Sequence, residues 1–298
     1  MEHGHTGRAV DMLGRCVAVW RTFEDQDLLW RGALAENLDR LALAAVQAGE
    51  LDMALGAFEE AIGHYEAATA YGDGRDAGEA LARCLVNRAD VHLLTDPRLA
   101  SADAERAAEL VEGTENRVTR LRVLMAGSTV DRTVGRPGQA LAAVREILAL
   151  TEGYTFPGTA ASDGDADGYG PEAIDDGEEE FAETAALSLM NSVGPLVDSA
   201  PLGEAVETAR RSVACVRALY LRRPGLHRRL LTLCLQNLCW RPSCGGGSNG
   251  TARRRTGETD NGRGSPGRLC GAGGGPRGCY RGLAGRRGVA SVRWSRCS

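Results

Sequence analysis

The amino-acid sequence predicts an all-α chain, an α-solenoid of stacked helix–turn–helix units. Three observations carry that expectation. Apolar and small side chains recur at three- and four-residue spacing along successive stretches, which places them on one face of a helix. Valine and isoleucine never alternate with polar residues in the runs that strands need. Alanine is abundant while aromatics make up only 5% of the chain, which suits closely packed helices better than a β-sandwich. At 298 residues the chain can bury a real core in one or two domains.

The unit is clearest from Leu34 to Ala70. Leu34, Leu38, Leu41, Ala42 and Ala45 share a face of a first helix, Gly49 ends it, and Asp52 is a natural N-cap for a second. That second helix carries Ala54, Phe58, Ala61 and Tyr65 on one stripe, where alanine lets two helix axes approach and Phe58 fills the gap beside them. Neither helix can bury its face alone, so the unit requires stacked neighbours.

Residues 7–22 repeat the stripe with Ala9, Leu13, Cys16 and Trp20, as the second helix of a unit whose first is missing. After the glycine-containing connector Tyr71–Gly78, helices are expected over Glu79–Leu94 and near Ala102–Glu112, separated by Asp96-Pro97. Arg117–Thr133 and Gln139–Leu150 form the next pair. There Gly135, Ala140, Val144 and Ile147 stand where Gly49, Ala54, Phe58 and Ala61 stood, and Pro137 falls at a tolerated first-turn position. Ala185–Val197 and Leu202–Leu221 make another pair with Ala205 and Ala209 on the stripe, and Leu226–Trp240 begins one more first helix.

Charge divides the chain. All 35 basic residues are arginine; residues 241–298 hold 12 of them against only Glu258 and Asp260, whereas residues 1–240 hold 23 against 38 acids. Four segments follow: helical repeats over 1–151, an acidic Gly-rich insertion over 152–181, helical repeats with an incomplete last unit over 182–240, and a Gly/Arg-rich tail over 241–298. Insertion and tail lack the apolar residues to form a core and are expected to be disordered. The tail starts where the turn and second helix of a unit should come. It is either a genuine basic segment or the product of a shifted reading frame in a GC-rich gene. In either case Leu230, Leu231, Leu235 and Leu238 would lack a covering helix, and self-association through the incomplete unit is expected.

Up to residue 240 the chain resembles the tetratricopeptide-repeat family, whose helix–turn–helix units recur about every 34 residues. The longer, uneven spacing here is similar to the extended repeats of kinesin-light-chain-like members. The small–large–small stripe and the turn glycine are present, and the family's tryptophan and tyrosine are not. The resemblance implies a concave groove that binds a peptide or protein, lined by an asparagine on each first helix. Asn87, Asn191 and Asn237 match that place; Arg40 and Ala126 occupy it in the other two units.

Other clusters have plainer readings beside the functional one. Asp163, Asp165, Asp167 and Gly168 match the opening of a calcium loop, but Ile174 stands where its closing carboxylate belongs, so a solvated acidic insertion is favoured over a weak cation site. Gly72–Gly78 follows a helix rather than a strand and reads as a connector, not a phosphate cradle. Cys234, Cys239 and Cys244 with His227 lack the paired spacing of structural zinc. Arg222, Arg223, Arg228 and Arg229 flank Pro224-Gly225; they form either a solvated loop or a docking patch for an acidic peptide or phosphate.

No nucleophile–base pattern, HExxH or P-loop is present, so neither catalysis nor a cofactor is expected. The odd, scattered cysteines fit reduced thiols, and no signal-peptide core or membrane-length apolar run occurs, so a cytoplasmic protein is expected. The leading functional expectation is a non-catalytic interaction scaffold. A sensor arm of a larger signalling or transcriptional regulator comes second. Nucleic-acid binding through the tail comes last and is the least expected, with only Tyr280 and Trp294 able to stack on bases.

Overall fold

Helix ends fix the unit lengths. The computed structural model describes residues 3–23, 28–71, 75–154 and 176–239. Among these it forms ten helices and no strand: α1 (His3–Arg21), α2 (Leu28–Ala48), α3 (Leu51–Tyr71), α4 (Arg75–Thr95), α5 (Pro97–Leu110), α6 (Arg117–Thr133), α7 (Pro137–Leu150), α8 (Asp176–Ser199), α9 (Leu202–Arg222) and α10 (Pro224–Cys239). Gly49 and Gly135, each at φ 82°, end α2 and α6 in the left-handed conformation that a side chain would strain. Asp96 caps α5 by accepting the Arg98 N–H at 3.0 Å, with Pro97 opening the helix. Asn116 caps α6 by accepting the Thr119 N–H at 3.1 Å.

Helices pack in sequence order. The first helices α2, α4, α6 and α8 each pair with the second helix that follows, and α3, α5, α7 and α9 pack in turn on the next first helix. First helices also touch one another, α4 with α6 and α6 with α8 above all. The result is the expected all-α solenoid of helix pairs. Its N-terminal core gathers Leu34, Leu38, Ala42, Ala54, Phe58, Ala61, Leu81 and Leu85 around α2, α3 and α4. A second core joins Leu121 and Ile147 to Leu187, Leu189, Val216 and Leu219.

Successive second helices are tied on their outer side by ion pairs. Arg21 of α1 meets Glu60 of α3 at 2.5 Å, Glu66 of α3 meets Arg106 of α5 at 2.6 Å, and Arg145 of α7 meets Glu204 of α9 at 2.5 Å. Arg136, just before α7, reaches Glu105 of α5 at 2.9 Å. Exposed pairs of this kind contribute little stability, but they fix how one unit sits on the next.

Several sequence expectations are corrected. In α1 the buried residues are Val10 and Val17; Leu13 and Trp20 are only partly buried against the core and Cys16 is exposed. One residue advances a helix face by about 100°, so the stripe lies one position from where Ala9 and Cys16 put it. Asp52 lies in the first turn of α3 rather than at its cap, since the Ala54 N–H already bonds to the Glu50 carbonyl at 3.0 Å. The end of the acidic segment is helical, because α8 starts at Asp176 and Glu179 is buried against α10. Leu230 is buried, and Leu231 and Leu238 pack against the core, so the open apolar residues of the last unit are Leu226 and Leu235. Pro195 lies inside α8, which continues through it to Ser199. The calcium-loop residues Asp163, Asp165 and Asp167, the 72–74 connector and the tail from 240 lie outside the described residues.

Candidate partner-binding face

The three predicted asparagines fall on first helices at one repeated register. Asn87 of α4 donates from Nδ2 to Asp39 Oδ1 of α2 at 3.2 Å. Asn191 of α8 donates to Met125 Sδ of α6 at 3.1 Å, and Asn237 of α10 donates to the Met190 carbonyl of α8 at 3.0 Å. Each acceptor residue stands one position before the equivalent place in the preceding first helix: Asp39 before Arg40, Met125 before Ala126, Met190 before Asn191. A side-chain amide has two N–H groups and a carbonyl. Each asparagine spends one N–H on holding its neighbour, and no described residue donates to its side-chain carbonyl. Asn191 has a second open acceptor: Pro195, four residues on, has no N–H to give its backbone carbonyl. The row breaks at α6, where Ala126 is buried.

Charges missed by the motif reading share this register. Arg83 and Arg122 each stand four residues before the asparagine position, and Asp90 three after Asn87. Burial holds the Arg122 guanidinium down to about 10, and it pairs with Glu180 of α8 at 2.8 Å. Burial likewise pushes the Asp39 carboxyl up, against the Asn87 hydrogen bond and the charge of Arg83. Asp90 rises to about 6 through burial, with no cation or hydrogen-bond donor beside it among the described residues. Reading each first helix in the register of its neighbour, rather than seeking asparagine alone, would have placed Arg83, Arg122 and Asp90 on this face, though not their burial.

Other polar clusters are structural. Arg88 grips Asp103 of α5 through two bonds of 2.9 and 2.6 Å, joining α4 to α5, and burial holds the nearby His92 below its ordinary value. Burial pushes the Cys84, Cys215 and Cys234 thiols up, which keeps them protonated and unreactive. Cys234 accepts from the Ser212 hydroxyl at 3.1 Å, and His227 lies 3.5 Å from Glu179. Among the described residues no three histidine, cysteine or acidic side chains converge as a metal site would need, and no helix is long and apolar enough to cross a membrane.

The arginine cluster sits at the α9–α10 junction. Arg222, Arg223, Arg228 and Arg229 are all exposed, and Arg223 Nη1 lies 3.3 Å from Glu179 Oε1. On α10, Arg229 and Asn237 are eight residues apart, about 12 Å along the axis, so the two predicted groups occupy different ends of that helix.

No protein-family model matches the chain, and no curated protein sequence matches it. Among solved structures, BtubC (BKLC) from P. vanneervenii overlays on 87% of this chain and 99% of its own with a TM-score of 0.44 and 12% identity.

Proposed function

We propose that the protein is a non-catalytic scaffold that holds a peptide or protein segment along the face formed by its first helices. One observation carries this reading: asparagine side chains recur at one register of that face, each tethered by a single N–H with its carbonyl open. An extended segment lying across successive first helices would give each carbonyl a backbone N–H, and the nearby Arg83, Asp90 and Arg122 would select its charge rather than add much strength. The arginines at the α9–α10 junction would favour a segment with acidic residues at that end.

Site-specific photo-crosslinking in the native cell tests the face directly. A crosslinking residue at Asn191 should trap a protein partner that the same residue at Gln139, on the second-helix side, does not. Replacing Asn87 and Asn191 together with alanine should weaken capture about tenfold, two hydrogen bonds' worth, with the helical signal unchanged. Equal trapping from both positions, or unchanged capture, would refute the proposal.

A further inference from the structure

The outer ion pairs mark positions from which one second helix reaches the next, and at two of these positions α9 carries arginine. Counted from the first buried alanine of its stripe, Ala54, Glu66 of α3 stands twelve residues on and pairs with Arg106 of the next second helix. The residue twelve on from Ala205 is Arg217. Arg145 stands five residues on from Ala140 and pairs with Glu204 of α9; five on from Ala205 is Arg210. Both linking positions of α9 are therefore arginine. Among the described residues Arg217 meets no carboxylate, and Arg210 has only Glu207 of its own helix at 3.8 Å.

Between the two arginines the surface is apolar and indented. Val213, Ala214, Ala218 and Leu221 of α9, with Leu238 of α10, line an open groove flanked by Arg210 and Arg217. Leu221 is 70% exposed. The residues equivalent to Val213 on α3 and α7 are Ile62, which is buried, and Leu148, which packs into two cores; just past α5 the place is held by the exposed Glu112. On α3 and α7 the next helix pair covers the position.

We propose that this groove seats an acidic amphipathic helix of a partner protein, docked as one further second helix. Its carboxylates pair with Arg210 and Arg217 as Glu204 pairs with Arg145, and its apolar stripe lies on Val213, Leu221 and Leu238. Charge together with apolar content selects this occupant over the nearer ones: the acidic segment 155–175 of this chain has the charge but too few apolar side chains to form a stripe. Residues 240–298 carry only Glu258 and Asp260 against 12 arginines, and α1 of a second copy presents Arg8, Arg15 and Arg21 against Asp11, so both would be repelled. In a second copy α3 is acidic on its surface, but its apolar stripe is buried in its own core at Ala54 and Phe58 and cannot be offered to the groove.

The test uses the full chain and a fluorescent synthetic peptide of the sequence 51–71, a second helix with four carboxylates and no arginine. The expected result is saturable, salt-weakened binding seen by anisotropy. Arg210→Ala with Arg217→Ala should weaken it about tenfold, as two exposed pairs would, and Leu221→Asp should abolish it. The peptide with its carboxylates amidated should bind at least tenfold more weakly. These side chains are exposed, so circular dichroism of the variants should match the parent, and Asn87→Ala with Asn191→Ala should leave peptide binding intact. Absence of binding, or binding indifferent to Arg210, Arg217 and Leu221, would overturn the proposal. So would preferential capture of a single-stranded oligonucleotide by the same arginines.

Discussion

Truncating Phe58 tests whether the small–large–small stripe builds the core. The ring is fully buried on α3, with Ala54 and Ala61 on its own stripe and α4 close enough for Cys84 Sγ to lie 4.0 Å from the Phe58 carbonyl. Phe58→Ala forfeits the burial of the ring, about 2 kcal/mol. It also leaves a void on the order of 100 Å³, which at about 24 cal/mol per Å³ adds roughly 2 kcal/mol when the walls hold still. They should hold still here. Ala54 and Ala61 on its own stripe have no rotamer with which to reach into the space. Closing it would take repacking of the buried leucines of the same core, Leu34, Leu38, Leu81 and Leu85, or movement of a whole helix. The expected loss is therefore about 4 kcal/mol, well above the cost of the same change at Met53, which is 45% exposed on the same helix. Urea unfolding of the full chain, followed by far-ultraviolet ellipticity, reads the difference. Because stacked units can unfold in stages, the comparison belongs to the transition that Phe58→Ala shifts. A loss under about 1 kcal/mol would mean the alanine seam closes freely and the stacking account is wrong.

Two further outcomes follow from buried charge. Arg88→Ala should cost about 3 kcal/mol by leaving Asp103 buried and unpaired, while Arg88→Met with Asp103→Leu should recover most of it; a strictly additive double-mutant cycle would refute the coupling. Asp90 titrates near 6 in the fold and near the ordinary carboxylate value when unfolded, so folding takes up a proton between those values and stability rises as pH falls through that window. With partial solvent access discounted, Asp90→Asn should stabilise the protein by about 1 kcal/mol at neutral pH and by nothing below about pH 4; a pH-independent difference would exclude an ionised, desolvated Asp90.

How far the sequence carried each element depends on how many neighbours that element has. The α3 stripe was legible residue by residue because α2 and α4 flank it, so every small and large position is forced to its place. On α1 the same pattern pointed one position away from the buried Val10 and Val17. Its packing is chiefly against α2, and with that contact dominant the β-branched residues at the seam decide which face turns inward. The asparagine register was legible through the family resemblance, whereas Asp39, Asp90 and Arg122 were not. Their character comes from the dielectric beside them, which depends on helices 30 to 60 residues away in the chain. The outer pairs show the same limit in reverse. Arg210 and Arg217 read as ordinary surface charges, and only the pairs Glu66–Arg106 and Arg145–Glu204 reveal that these two positions serve the next unit. A solenoid repeats its interfaces as well as its helices, so a linking position whose charge meets no described residue of a further helix marks where the stack can take another surface. On α9 that surface must be acidic, and residues 240–298 do not supply it.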